Sequence, residues 1–250
     1  MKDPEKDPQP GSVSLLSGAF RLDRSRSATV QVFEHLRAQI VSLAVKPGTV
    51  LARPQLCAYF RLSQSPIRDA LLRLEEERLV DIYPQHQTRV RAIDLASARE
   101  AHFLRLSVEL ELVWVLAQSP RPALETMLLQ LVERQRAALA SGDLDTFTAI
   151  DMEFHRRMYE EADLTELWTM MRSRSGNLDR LRRLHLPVNG KAQSIFEQHA
   201  AIARCIGQGD AAGAQRIVRA HLSGTLNALD SLRERYAGMM LPDDYAPRAA

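Results

Sequence analysis

The sequence predicts a mainly α chain in two parts: a small helical front module that ends in a two-stranded hairpin, and an all-α bundle behind it. Three observations carry this expectation. Apolar residues recur at helical spacing through most of the 250 residues. Strand-like alternation is confined to LVDIYP and TRVRAI, with PQHQ overlapping them as a turn. After Asp94 every patterned segment is helical.

The front module spans residues 25–93. Its first helix carries Val30, Val32, Phe33, Leu36, Ile40, Val41 and Leu43 and stops before Lys46-Pro47-Gly48, a turn signal. Val50-Leu51 reads as a short extended piece, and a second helix starts at Arg53-Pro54 with Leu56, Cys57, Tyr59 and Phe60 facing inward. Ser65 before Pro66 marks the start of a third helix, since serine caps free amides and proline is tolerated in the first turn. Ile67, Leu71, Leu72, Leu74 and Leu79 share its apolar side, which leaves Gln64, Ser65 and Arg68 exposed at its N-terminal end. Three helices followed by a two-stranded wing make a winged helix-turn-helix, and polar groups at the start of the third helix suit a DNA major groove.

Charge agrees mildly with that reading. The whole chain is only +2, with 26% charged and 45% hydrophobic residues, as in an ordinary globular protein. Residues 25–93 hold ten basic against six acidic side chains, and the remainder is slightly acidic. Two distant cysteines, Cys57 and Cys205, cannot frame a chain of this size, which points to a reducing, cytoplasmic setting. No apolar run is long enough to span a membrane, and MKDPEKDPQP lacks the apolar core of a signal peptide, so no membrane partner is expected. Residues 1–24 and 239–250 are expected to be flexible tails.

The bundle, residues 94–238, is expected to hold six helices. Asp143 and Gly209-Asp210 mark two of their starts. Asp151 and His155 stand four apart, so they share a helix face with Phe147, Phe154 and Met158. His199 falls among Ile195, Ile202 and Ile206, and His221 beside Ile217, Val218 and Leu222. One such histidine is commonly a hydrogen-bonded core residue. Three imidazoles and a carboxylate turned inward together are costly unless paired or bound to a metal. This donor mix suits zinc, nickel, manganese or iron.

Among the candidate DNA contacts, Arg68 is the first choice for a base edge, because guanidinium pairs bidentately with guanine. Gln64 suits adenine or phosphate, and Ser63 and Ser65 suit phosphates. His86, Gln87 and Arg89 lie in the wing, where they face the minor groove, its phosphates or solvent. Arg53 and Arg61 read equally as backbone contacts and as surface charge.

The order KPGTVL, QLCAYFRLSQSPIRDALLRLEEERLV, DIYPQHQTRV over residues 28–93 resembles the DNA-binding domain of the GntR family of bacterial transcription regulators. The chain departs from the family habit of glycine at Arg61, Arg78 and Gln87, and of arginine at Gln64. In the second half, D-x-x-x-H, Q-H-A-A-I and R-A-H-L resemble the metal-binding pattern of the helical effector domain in the FadR subfamily. That resemblance implies a divalent metal on Asp151, His155, His199 and His221, with a small carboxylate as effector. It also implies an effector role for Arg105, for which a helix pair with Glu109 is the ordinary alternative. Arg174 and Asn177 are further candidates for the effector pocket. The implied function is a homodimeric regulator, chiefly a repressor, of carbon metabolism acting on a palindromic operator. The competing class is a metal-dependent enzyme for small organic acids with a DNA-binding appendage, in which Glu153 is the one available base.

Overall fold

The computed structural model describes residues 16, 20–83, 87–188 and 190–242. The front module contains α1 (Ala28–Val41), α2 (Arg53–Phe60), α3 (Gln64–Glu76), β1 (Val80–Tyr83) and β2 (Gln87–Val90). The two strands pair antiparallel, with Val80 opposite Val90 and Tyr83 opposite Gln87. The extended piece at Val50-Leu51 joins them: Val50 bridges Arg89, and the Leu51 amide donates to the Thr88 carbonyl at 2.8 Å. Leu36, Ile40, Leu56, Ile67, Leu71, Leu74 and Leu79 form the module's core, each no more than 1% exposed.

Details of α3 differ from the sequence expectation. The helix begins at Gln64 with Ser63 before it, which places Pro66 in the third helical position and leaves Ser65 inside the first turn. Leu72 is 43% exposed, because Ile67, Leu71 and Leu74 already complete the buried stripe. Within residues 1–24, expected as a tail, Leu16 is buried and Phe20 meets Phe60 edge-on, 4.7 Å between ring centres.

The bundle contains α4 (Leu95–Gln118), α5 (Pro122–Ala140), α6 (Leu144–Glu161), α7 (Thr165–Arg174), α8 (Gly176–His185), α9 (Lys191–Gly207), α10 (Ala211–Asn227) and α11 (Leu229–Tyr236). These are eight helices among the described residues where the sequence suggests six, because two long segments break, at Ser175 and at Ala228. Aspartates start three of them: Asp94, Asp143 and Asp210 each accept an amide N–H three residues on, at 2.8 to 3.0 Å. α4 packs on α10, and α5 packs on both α6 and α9. Near the end, Met240 is buried and bridges Ile93, so order extends past the expected boundary at 239.

The two parts are joined by specific contacts. α8 packs on both α1 and α4. Gly176 lies so close to Leu79 that a Cβ would come within 2.8 Å of its Cδ2, so glycine permits this approach. Arg37 of α1 pairs with Glu77 at 2.6 Å and donates to the Arg172 carbonyl at 2.7 Å. Arg180 donates to the Arg91 carbonyl at 2.7 Å, tying α8 to the segment that leads out of the wing.

Candidate functional site

Asp151 and His155 project from α6, His199 from α9 and His221 from α10, and all four are buried. One potential ligand atom from each lies within 4.8 Å of every other. His221 Nε2 is 3.2 Å from His199 Nε2 and 3.3 Å from His155 Nε2, and His199 Nε2 is 3.6 Å from Asp151 Oδ1. Ligand atoms held at about 2.1 Å from one ion stand roughly 3.0 to 3.4 Å apart, so most of this spacing is that of a metal cage.

The surroundings support the same reading. Each imidazole has its other nitrogen beside an oxygen. His155 Nδ1 is 2.8 Å from Glu109 Oε2, His199 Nδ1 is 2.7 Å from Gln135 Oε1, and His221 Nδ1 is 3.1 Å from Gln198 Oε1. An acceptor at Nδ1 fixes the proton there and turns the Nε2 lone pair toward the common centre. Asp151 Oδ1 is buried without a hydrogen bond, while its Oδ2 accepts from Arg182 Nη2 at 2.5 Å. A buried anionic oxygen aimed at converging lone pairs is costly unless a cation stands there. The donor set therefore fits a divalent ion.

Electrostatics prepare these ligands. Burial pushes the His199 imidazole down to about 3 and lowers His155 and His221 as well, keeping all three in the neutral, ligating form. Burial also opposes ionisation of Asp151, but Arg182 and the imidazoles prevail and hold its carboxyl well below the usual carboxylate range. Glu109 is likewise buried, and Arg105, ahead of His155, brings it to about 2.

Beside the cluster lies a cavity of about 260 Å³ whose lining includes Asp151 and His221. Arg105 also lines it, and it forms the helix pair with Glu109, at 2.7 Å. Arg182, Arg183 and Lys191 face the same space, as do Ala38, Val41 and Ser42 of α1. Arg174 and Asn177 do not reach it. They line a separate groove between the two parts, where Asn177 Oδ1 accepts from the Asp94 amide at 2.9 Å and from Arg180 at 2.5 Å. Glu153 is engaged by Arg157 at 3.2 Å and does not line the cavity, which removes the proposed catalytic base.

Gln135 and Arg182 escaped the sequence reading, as did the contact of Glu109 with His155, since each stands on a different helix from the ligand it supports. Gln198 carried a signal, being adjacent to His199 in the motif, but its actual partner is His221. Trp114 is 42% exposed.

In the front module, Ser63, Gln64, Ser65 and Arg68 are exposed together at the start of α3. Arg68 pairs with its neighbour Asp69 at 3.2 Å, with 62% and 46% of the side chains exposed. An exposed pair of this kind contributes about 0–1 kcal/mol, so it does not withhold Arg68 from another ligand. Arg53 is exposed at the start of α2, and Gln87 opens β2. Arg89 donates to the Gly48 carbonyl at 2.8 Å. His86 lies outside the described residues.

A wing-bearing reading head joined to a helical domain with a buried ligand cluster defines a DNA-binding regulator that carries its own sensor. Residues 28–90 match the gntR family of bacterial regulatory proteins, and residues 100–224 match the FCD domain. The chain is 30% identical over 203 residues to an HTH-type transcriptional regulator in an unstable DNA locus of Streptomyces ambofaciens, covering 81% of this chain and 85% of the relative. It is 25% identical to the HTH-type transcriptional repressor RspR of Escherichia coli strain K12, over 86% and 94% of the two chains. The solved structure of E. coli McbR/YncC shares the fold, with a TM-score of 0.70 at 21% identity over 84% of this chain and 99% of that one. The chain belongs to the GntR family, in the branch with an FCD effector domain, and is a transcription regulator rather than an enzyme. No helix among the described residues is long and apolar enough to cross a membrane.

Proposed function

We propose that this protein is a cytoplasmic, homodimeric repressor of carbon-metabolism genes, released from a palindromic operator by a small carboxylate bound at a metal in the FCD domain. The observation that carries the reading is the juxtaposition of the buried Asp151, His155, His199 and His221 cluster with a cavity that also touches α1 of the front module. Asp151, His155, His199 and His221 would hold the ion, which when bound supplies an electrophilic position for a carboxylate oxygen. Arg105 and Lys191 add positive charge around that space. The repressor role is supported by relatives that include gluconate operon transcriptional repressors of Bacillus licheniformis and Bacillus subtilis.

Coupling follows from the contacts between the parts. α8 contributes Leu178, Arg182 and Leu186 to the cavity and also packs on α1, where Arg172 holds Arg37 through its carbonyl. A ligand that favours one setting of α8 thereby favours one position of the reading head, and by linkage the operator changes ligand affinity by the same factor. Arg68→Ala is expected to abolish operator binding in a gel-shift titration and to leave carboxylate-induced thermal stabilisation intact. Loss of both together would contradict separate reading and sensing modules.

A further inference from the structure

The cavity beside the cluster is mostly walled by hydrocarbon: Phe147, Met152, Leu178, Leu186, Ile195 and Leu222 line it. Its charges are largely satisfied from within. Arg105 pairs with Glu109, Arg182 with Asp151 and Asp179, and Arg183 with Asp145. Lys191 differs, having no carboxylate partner among the described residues. The space thus offers one anion position, at the cluster and Lys191, and one buried polar atom without a hydrogen-bond partner, His102 Nε2, but little to satisfy a second carboxylate or a row of hydroxyls. A buried hydroxyl or charge left unpaired against apolar walls is penalised, whereas each methylene placed there is favourable.

We infer that the effector is a monocarboxylate with an apolar body, a medium-chain or aryl acid rather than a sugar acid or a dicarboxylate, and that this body packs against α1. The inference rests on the proposed metal-carboxylate site and goes further by fixing the class of acid. The α1 wall gives it a consequence. Ala38 is exposed at the rim of this cavity, and Val41 and Ser42 continue the wall, so the apolar end touches the front module directly.

The test is calorimetric titration of the zinc-loaded full-length protein with acetate, octanoate and gluconate, repeated on Ala38→Trp and after treatment with EDTA. Octanoate is expected to bind at least tenfold more tightly than acetate and more tightly than gluconate. Ala38→Trp is expected to weaken octanoate at least tenfold while leaving acetate within twofold. A gain from acetate to octanoate below tenfold, tighter binding of gluconate, or an equal effect of Ala38→Trp on both acids would overturn the inference. Binding unchanged by EDTA, or no binding of any acid, would instead remove the metal-carboxylate site itself, and this inference with it.

Discussion

Arg61 and Arg78 occupy left-handed backbone, with φ of 55° and 56°, at the ends of α2 and α3. These are positions where the family habit is glycine, and the reason is steric, because a Cβ crowds the carbonyl in that conformation. Arg78 has compensation, donating to Ser97 Oγ at 2.8 Å. Arg61 is exposed and has no such bond among the described residues. Arg61→Gly is therefore expected to stabilise the protein by about 1 kcal/mol in urea melts, the relief of strain less the entropy of glycine. Glu109 presents the other residue-scale consequence. It stands between Arg105 and His155 and sets the imidazole's orientation and basicity without itself being one of the four candidate ligands. Glu109→Gln keeps the shape and removes the charge, so zinc affinity, measured by competition with a chromophoric chelator, is expected to fall roughly 10- to 100-fold. An unchanged affinity would mean that His155 does not need its partner.

Helices show what patterning reveals and what it conceals. The apolar stripe of α3, the two strands of the wing and the aspartates that start α6 and α10 were legible, since each depends on residues a few positions apart. Breaks at Ser175 and Ala228 were not, because α8 turns where Gly176 meets Leu79, a residue nearly a hundred positions earlier. The four candidate ligands could be named, as each lies on an apolar helix face. Their supporting groups could not, because Gln135 and Arg182 meet them only once helices have packed. α4 carries a further message. Phe103 and Trp114, eleven residues apart and so on one side of the helix, are 73% and 42% exposed, with Val115 beside them at 45%. An apolar strip of this kind suits the self-complementary contact that the proposed homodimer calls for. Trp114→Glu is expected to shift the protein from dimer to monomer in sedimentation velocity and to weaken operator binding. A variant that remains as dimeric as the parent would place the dimer contact elsewhere.

At the scale of the whole molecule, sensing and reading are separated by α8 and α1. The cluster is sealed in the bundle, the exposed start of α3 lies on the far module, and Arg37 and Arg180 hold the two parts together through backbone carbonyls. Contacts of this kind can be exchanged without disrupting either core, as a switch between two arrangements requires. Every step of this account depends on an ion at the cluster. The direct measurement is the metal content of protein purified without chelator and then equilibrated with zinc and desalted, determined by plasma mass spectrometry for the parent and for the double variant His155→Ala/His199→Ala. The account expects a stoichiometric ion in the parent and its loss in the double variant, with the helical circular dichroism retained. A parent that keeps no metal, or a double variant that keeps as much, would contradict it.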